Sequence, residues 1–509
     1  MTALLIRGCT LWDGTPGSVL CDGGKVARVY RDEEPDPPAD AEVIEANGGS
    51  LLPGLTDTHC HPFDYGRQKR SVDLRGASNV TALRMRLTAG VMKARPGDWV
   101  VGMGWDQEAF PDRKMPTRAD IDDLTPSNPV ALSRVCGHVG LLNSAAIAAL
   151  GLGERRGPEY ERGPSGELTG IVKETALTDA LLNVPKTTEA LASDLQSVEA
   201  EAARLGLTRM HCIVSRDGYR EKLEALAELE AGGSLALRYR VFVPFEALEY
   251  VEELRRRGRA GGERYRINGV KIFTDGSLGA RTAALREPYA DDPGNSGMLL
   301  LKDSELDEMV DRADAMGHQV IVHAIGDRAV EQAVRALSRV SGSGNPRRHR
   351  VEHASLLPKD LRSKMAKHGI RAAVQPCFVT SDTWAAERLG EERLRDLYPF
   401  RSMLEEGIAI SGGSDSPVES LSPVLGAWAA MTRGGSVPEE SLSLEESLAL
   451  YTTSAAENGL DQLALGEGAP ADFTLFDSDI RGMHPALLRK VGVLATVVGG
   501  SAAHSYGFL

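Results

Sequence analysis

Eight apolar segments rich in β-branched residues recur between residues 54 and 417, and their spacing constrains the fold more than any other feature of the chain. They are GLTDTHCH (54–61), GLTRMHCIV (206–214), LALRYRVFVPF (235–245), INGVKIFTDG (267–276), HQVIVHAIGD (318–327), HRVEHAS (349–355), IRAAVQPCF (370–378) and IAISGGSDSP (408–417). Each reads as a buried strand. From the second onward, each gap is the length of one helix and two loops. SELDEMVDRADAMG (304–317) sets charges opposite apolar positions with helical period, as does VTALRMRLTAGVMKARPG (80–97). Strand–helix units repeated in one direction need right-handed crossovers and a parallel sheet. Eight of them close into an α/β (β/α)8 TIM barrel.

One gap breaks the rhythm. Residues 62–205 are too long for a loop and carry strand-like DWVVGMGWD and NPVALSRVCGHVG and helix-like SDLQSVEAEAARLG. Most of this stretch, about 75–195, reads as a subdomain inserted after barrel strand one. In a barrel, such an insertion leaves from the face where active sites form, so it is a candidate cap. The ends differ from the middle. ALLIRG, SVLCDGGKVARVY and AEVIEANGG at the start, and ADFTLFDSD and VGVLATVVGGSAAHS at the finish, read as short antiparallel strands. The expected division is a β-domain from 1–52 plus 456–509 around a barrel from 53–455.

The polar residues fall at one end of the strands. His59 and His61 lie two residues apart on strand one, so their side chains share a face. Lys271 sits inside apolar strand four, where a charge is costly to bury. His323 ends strand five, His353 strand six and Asp415 strand eight. A single core histidine is ordinarily a hydrogen-bonded structural residue. Six ionisable residues at the same end of five barrel strands converge on one mouth, and their types suit a metal ion.

Composition removes other classes. The net charge of −14 argues against a nucleic-acid binder. The six cysteines form no CxxC pair, which fits a reducing compartment and no zinc ribbon. No apolar run approaches the roughly 18 residues of a membrane span, and MTALLIRGCTLWDG lacks signal-peptide character. A cytoplasmic protein acting on a small molecule, with no nucleic-acid or membrane partner, is expected.

PGLTDTHCH resembles the first-strand signature of the amidohydrolase superfamily, and GEGAPADFTLFD resembles part of that superfamily's small β-sandwich. GWDQEAFPDRKMPTRADID, GHVGLLNS, VKIFTDGSLGARTA, HAIGDRA, RVEHAS and GSDSPV are similar to the amidohydrolase-3 branch, which includes N-substituted formamide deformylases. The resemblance spans nearly the whole chain. It implies a metal-dependent hydrolase of carbon–nitrogen, non-peptide amide bonds, with two divalent ions, zinc by preference. His59, His61 and Asp415 would hold one ion and His323 and His353 the second. Lys271 would bridge them as a carbamate; the alternative is an unmodified lysine paired to a carboxylate. A water activated between the ions would attack a carbonyl, with Asp415 taking its proton and passing it to the leaving amine. Superfamily relatives imply a homo-oligomer.

The same resemblance makes His138, in the insertion, a substrate-contact candidate. Asp275 and Arg281, in the Gly-rich loop after strand four, are others; Arg281 would bind a substrate carboxylate or carbonyl, or close a salt bridge within the loop. Trp105 is a further substrate-contact candidate and, with Asp106, a candidate lid residue; Asp327 is a candidate helix N-cap, and Glu352 and His211 candidate supporting residues. The rival activities are a one-metal deaminase, an esterase or lactonase on the same site, and a non-catalytic regulator that kept the barrel. HAIGDRA has an aspartate where the deaminases carry glutamate, and the six ligand positions are all filled.

Overall fold

The computed structural model describes residues 3–136, 138–461 and 466–506. The others, which fall within the expected terminal domain and insertion, lie outside the described residues. The chain divides into two compact units, one formed by Met1–Tyr65 with Leu195–Leu509 and one by Gly66–Asp194.

The larger unit holds an eight-stranded parallel sheet wound in chain order. Its strands are Leu55–Cys60, Leu207–Ile213, Arg238–Pro244, Tyr265–Phe273, Gln319–Ala324, Arg350–His353, Arg371–Val374 and Ile410–Gly412. Helices such as Asp303–Ala315 and Asp327–Val340 run between successive strands. This is the (β/α)8 barrel expected from the spacing.

The seam between strands one and eight closes through side chains and loop backbone. Thr58 Oγ1 donates to Gly412 O at 2.9 Å, and Asp415 N donates to His59 O at 2.7 Å. Buried Asp57 staples the same seam: its Oδ1 accepts from His59 N at 3.0 Å and Ser414 N at 3.1 Å. Burial raises the Asp57 carboxyl to about 7. Gly413 is required here, because a Cβ would lie 2.6 Å from the His59 backbone nitrogen.

The chain ends add two four-stranded sheets. One runs Lys25–Arg31, Pro16–Asp22, Leu4–Thr10, Glu42–Glu45; the other runs Ser501–Ser505, Val493–Val498, Phe473–Phe476, Leu51–Pro53. A single apolar core takes Leu4, Ile6 and Val19 from the first and Leu51, Phe473 and Val497 from the second. The antiparallel expectation fails at one point, since Glu42–Glu45 pairs parallel to Leu4–Arg7. The long return through 32–41 brings that strand back in the same direction.

The Gly66–Asp194 unit has its own six-stranded sheet. Its order is Tyr160–Arg162, Leu168–Lys173, Val139–Leu142, Val130–Arg134, Val100–Trp105, Val72–Asp73. NPVALSRVCGHVG supplies two of these strands rather than one. The helix expected from 193–206 spans Thr188–Arg204 and runs straight into barrel strand two, so its latter part groups with the barrel. Trp105 is fully buried in the core of this sheet, and its indole N–H donates to Leu132 O at 3.3 Å. A ring with no exposed surface is a packing residue, which corrects its reading as a lid or substrate contact. Trp105→Ala is expected to destabilise this unit by about 3–5 kcal/mol, read by urea denaturation.

Candidate metal centre

Strand alternation sends His59 into the barrel mouth, and the other five residues gather around it. His59 Nε2 lies 3.3 Å from Asp415 Oδ1 and 3.4 Å from Lys271 Nζ. His61 Nε2 lies 3.2 Å from the same Asp415 oxygen. The His353 ring centroid is 4.7 Å from that of His59 and 4.5 Å from that of His323. His59, His61 and Asp415 offer ligand atoms within 4.8 Å of one another.

Two of these residues depart from strand geometry. His353 has φ +70 and Asp415 φ +55, both in the left-handed region that non-glycine residues rarely occupy. At His353 the consequence is direct. In a regular strand Glu352 and His353 would face opposite ways. Here the backbone turns and both reach His59, Glu352 at Nδ1 and His353 with its ring centroid 4.7 Å away.

Hydrogen bonds fix the imidazoles' orientation. His59 Nδ1–H donates to Glu352 Oε2, leaving Nε2 to face Asp415 and Lys271. His353 Nδ1–H donates to Gln375 Oε1 at 2.7 Å, leaving Nε2. His323 Nε2–H donates to Gly276 O at 3.0 Å, leaving Nδ1, which is buried without a partner among the described residues. Each of the three therefore presents one lone pair backed by a fixed acceptor on its far nitrogen, the arrangement that orients a metal-ligating histidine.

The electrostatics favour the ligand forms. Burial holds His353 well below the usual imidazole range. Burial, then the nearby Lys271 charge, lowers His59. Burial also brings the Lys271 amine down to about 8. Burial alone would raise the Asp415 carboxyl, but His59 and His61 beside it hold it well below the carboxylate range.

A second tier lies beneath. Glu352 is fully buried, and its Oε1 accepts from Arg350 Nε at 2.6 Å. Arg350 also donates to Thr58 O at 2.9 Å and to His211 Nδ1 at 3.1 Å. Burial opposes ionisation of Glu352, and the charge of Arg350 overrides it, so the carboxyl sits well below its ordinary value. Gln375 and Arg350 were missed by sequence reasoning. Their signal was a polar residue at a strand end and a charged one inside a strand.

Residues 42–504 match the sequence model of the amidohydrolase family. The chain belongs to the amidohydrolase family. The resemblance drawn from PGLTDTHCH and the other motifs is borne out. YtcJ of Bacillus subtilis (strain 168) is 31% identical over 487 residues, 91% of each chain. N-substituted formamide deformylase of Arthrobacter pascens is 26% identical over 519 residues, 95% of this chain and 94% of the relative. A crystal structure of an uncharacterized metal-dependent hydrolase from Pyrococcus furiosus superposes with a TM-score of 0.79 at 31% identity, covering 95% of this chain and 99% of that one.

In this amidohydrolase the donor set suits a divalent cation. Four imidazoles, a carboxylate and a lysine surround one mouth, and the orphaned His323 Nδ1 is a buried lone pair with no other use among the described residues. The substrate-contact candidates fare differently. Asp275 is buried, accepting from Ile325 N at 3.1 Å, Gly326 N at 2.9 Å and Ala284 N at 3.0 Å. It anchors two loops and lies 3.3 Å from His323 Nε2. Arg281 closes the salt bridge within its loop, to both Asp291 oxygens at 3.1 and 2.8 Å. His138 is exposed in the other unit, 3.0 Å from Glu174 Oε2. Asp327 is not the N-cap, which is Gly326; its Oδ1 accepts from Arg286 N at 2.9 Å. Among the described residues no helix is long and apolar enough to cross a membrane.

Proposed function

We propose that this amidohydrolase cleaves a carbon–nitrogen bond, a non-peptide amide, using divalent ions held by the six mouth residues. The observation that carries the reading is the set of three oriented imidazole lone pairs in a cluster that also holds an ionised Asp415. His59, His61 and Asp415 would hold one zinc ion, and His323 and His353 a second. Lys271 would stand between them as a carbamate. Ions held there supply Lewis acidity to the scissile carbonyl and lower the pKa of water.

The chain's own residues do the rest. Asp415 accepts a proton from the attacking water and delivers it to the leaving nitrogen, so one water and one amide become an acid and an amine. Glu352 and Gln375 keep His59 and His353 from turning. Carbamate formation joins the Lys271 nitrogen to carbon dioxide with loss of a proton. The neutral amine is the reacting form, and with its pKa at about 8 that form predominates only above that pH. Reconstitution of metal-free protein with zinc is therefore expected to be bicarbonate-dependent and faster at alkaline than at mildly acid pH, followed by metal uptake.

The relative named for N-substituted formamides supports the bond type. A panel of N-formyl and N-acyl amines, esters and amino-substituted heterocycles tests it. Amine release from the first group is expected. Turnover of esters alone, or release of ammonia from the heterocycles alone, would overturn the assignment.

A further inference from the structure

We infer that the substrate is a neutral amide carrying an apolar substituent, held beside the cluster by Phe273; this rests on the hydrolytic reading above. Phe273 is the last residue of strand four and is 45% exposed, an unusual state for a phenylalanine at a barrel strand end. Its ring stands against the cluster, with the centroid 5.0 Å from that of His323 and 4.8 Å from Lys271 Nζ. A second aromatic ring, the buried Phe378, lies parallel to His353 with centroids 6.3 Å apart. His323 and His353 therefore each have an aromatic neighbour.

Two further exposed apolar residues stand on loops that follow the barrel strands. Leu300, 51% exposed, sits beside Phe273 because its N–H donates to Thr274 O at 2.8 Å. Val418, 64% exposed, follows Asp415 in a tight turn closed by Val418 N donating to Asp415 O at 2.9 Å. Exposed large apolar residues rimming a polar site mark a binding surface rather than a packing error.

Three charges of the strand-four loop close to the cluster are engaged within the protein. Asp291 takes Arg281 and also Arg388, so both guanidiniums are held by a carboxylate of the protein itself. Asp275 is consumed by three backbone N–H groups. A substituent bearing a carboxylate or an ammonium would lose its hydration where it lay over Phe273 and Leu300. An apolar substituent would gain by covering Phe273 and Leu300.

The test is a matched pair of ligands on the zinc-loaded full chain: N-hexylformamide, and its analogue of equal length ending in a carboxylate. Calorimetry reads binding, and amine release is measured in parallel. Apolar pockets separate ligands differing by one small group by roughly 10–200-fold. The neutral amide is therefore expected to bind at least about tenfold tighter. Phe273→Ser, and independently Leu300→Asp in the exposed loop, should bring the ratio toward one. The ratio is taken within each variant, so partial loss of fold or metal cancels. Equal or tighter binding of the carboxylate analogue, or a ratio indifferent to both substitutions, would overturn the inference. Tight neutral binding without amine release would sustain the inference and sink the hydrolytic reading. Equal release from both compounds would do the reverse.

Discussion

Asp415→Asn is expected to leave the chain folded and to cut turnover by at least about 10²–10⁴-fold, the range for loss of a positioned proton-transfer group. The substitution is isosteric and keeps one oxygen toward His59 and His61, so the seam bond from residue 415 N to His59 O persists. What disappears is the ionised carboxylate that both imidazoles hold. The check is kcat on the best amide of the panel, with circular dichroism and metal content in parallel. A variant that binds metal and retains near-normal kcat would remove Asp415 from the proton path.

Arg350→Met is expected to cost about 3–5 kcal/mol of stability, because it leaves the fully buried Glu352 carboxylate without its guanidinium. The second substitution Glu352→Gln, made on top, should recover much of that loss, since no charge is then stranded. The double-mutant cycle separates this pairing from simple packing. Urea denaturation of the four chains reads it. Additivity of the two single losses would contradict the coupling. In the parent chain the sign with pH is fixed by the depressed Glu352 carboxyl. Its contribution is fully present above its unfolded value near 4.5 and is lost as pH falls through the folded one. Glu352→Gln should flatten that acid limb.

Much of the barrel was legible because it depends on coarse features. Buried parallel strands must be apolar on both faces, and their crossovers have a minimum length, so eight segments at helix-plus-loop spacing leave few alternatives. All eight expected strands are present. Their ends were less legible, and strand four begins two residues before the expected Ile267 because Tyr265 also packs inward.

The six mouth residues could be read together because each stands at the same end of its strand. What surrounds them could not. Glu352 and His353 both reach His59 through a left-handed φ at a histidine, and nothing in RVEHAS announces that turn. Gln375 is one of many polar residues at strand ends, and its role appears only when His353 is placed beside it. The partners of the substrate-contact candidates were illegible for a related reason. Arg281 and Asp275 carry the right chemistry, but whether a charge is spent inside its loop depends on partners such as Asp291 and the Gly326 N–H, which pattern cannot locate. Trp105 shows the limit for large aromatics, since a buried indole bonded to Leu132 and a lid residue look alike in sequence.

The central claim is that the six side chains at the barrel mouth form one divalent-metal site, and elemental analysis of the full chain purified without chelator tests it most directly. The expected result is about two ions per chain, as a paired site requires, with the content falling sharply in a His59→Ala, His323→Ala variant. No bound metal, even after reconstitution with zinc and bicarbonate, would contradict it.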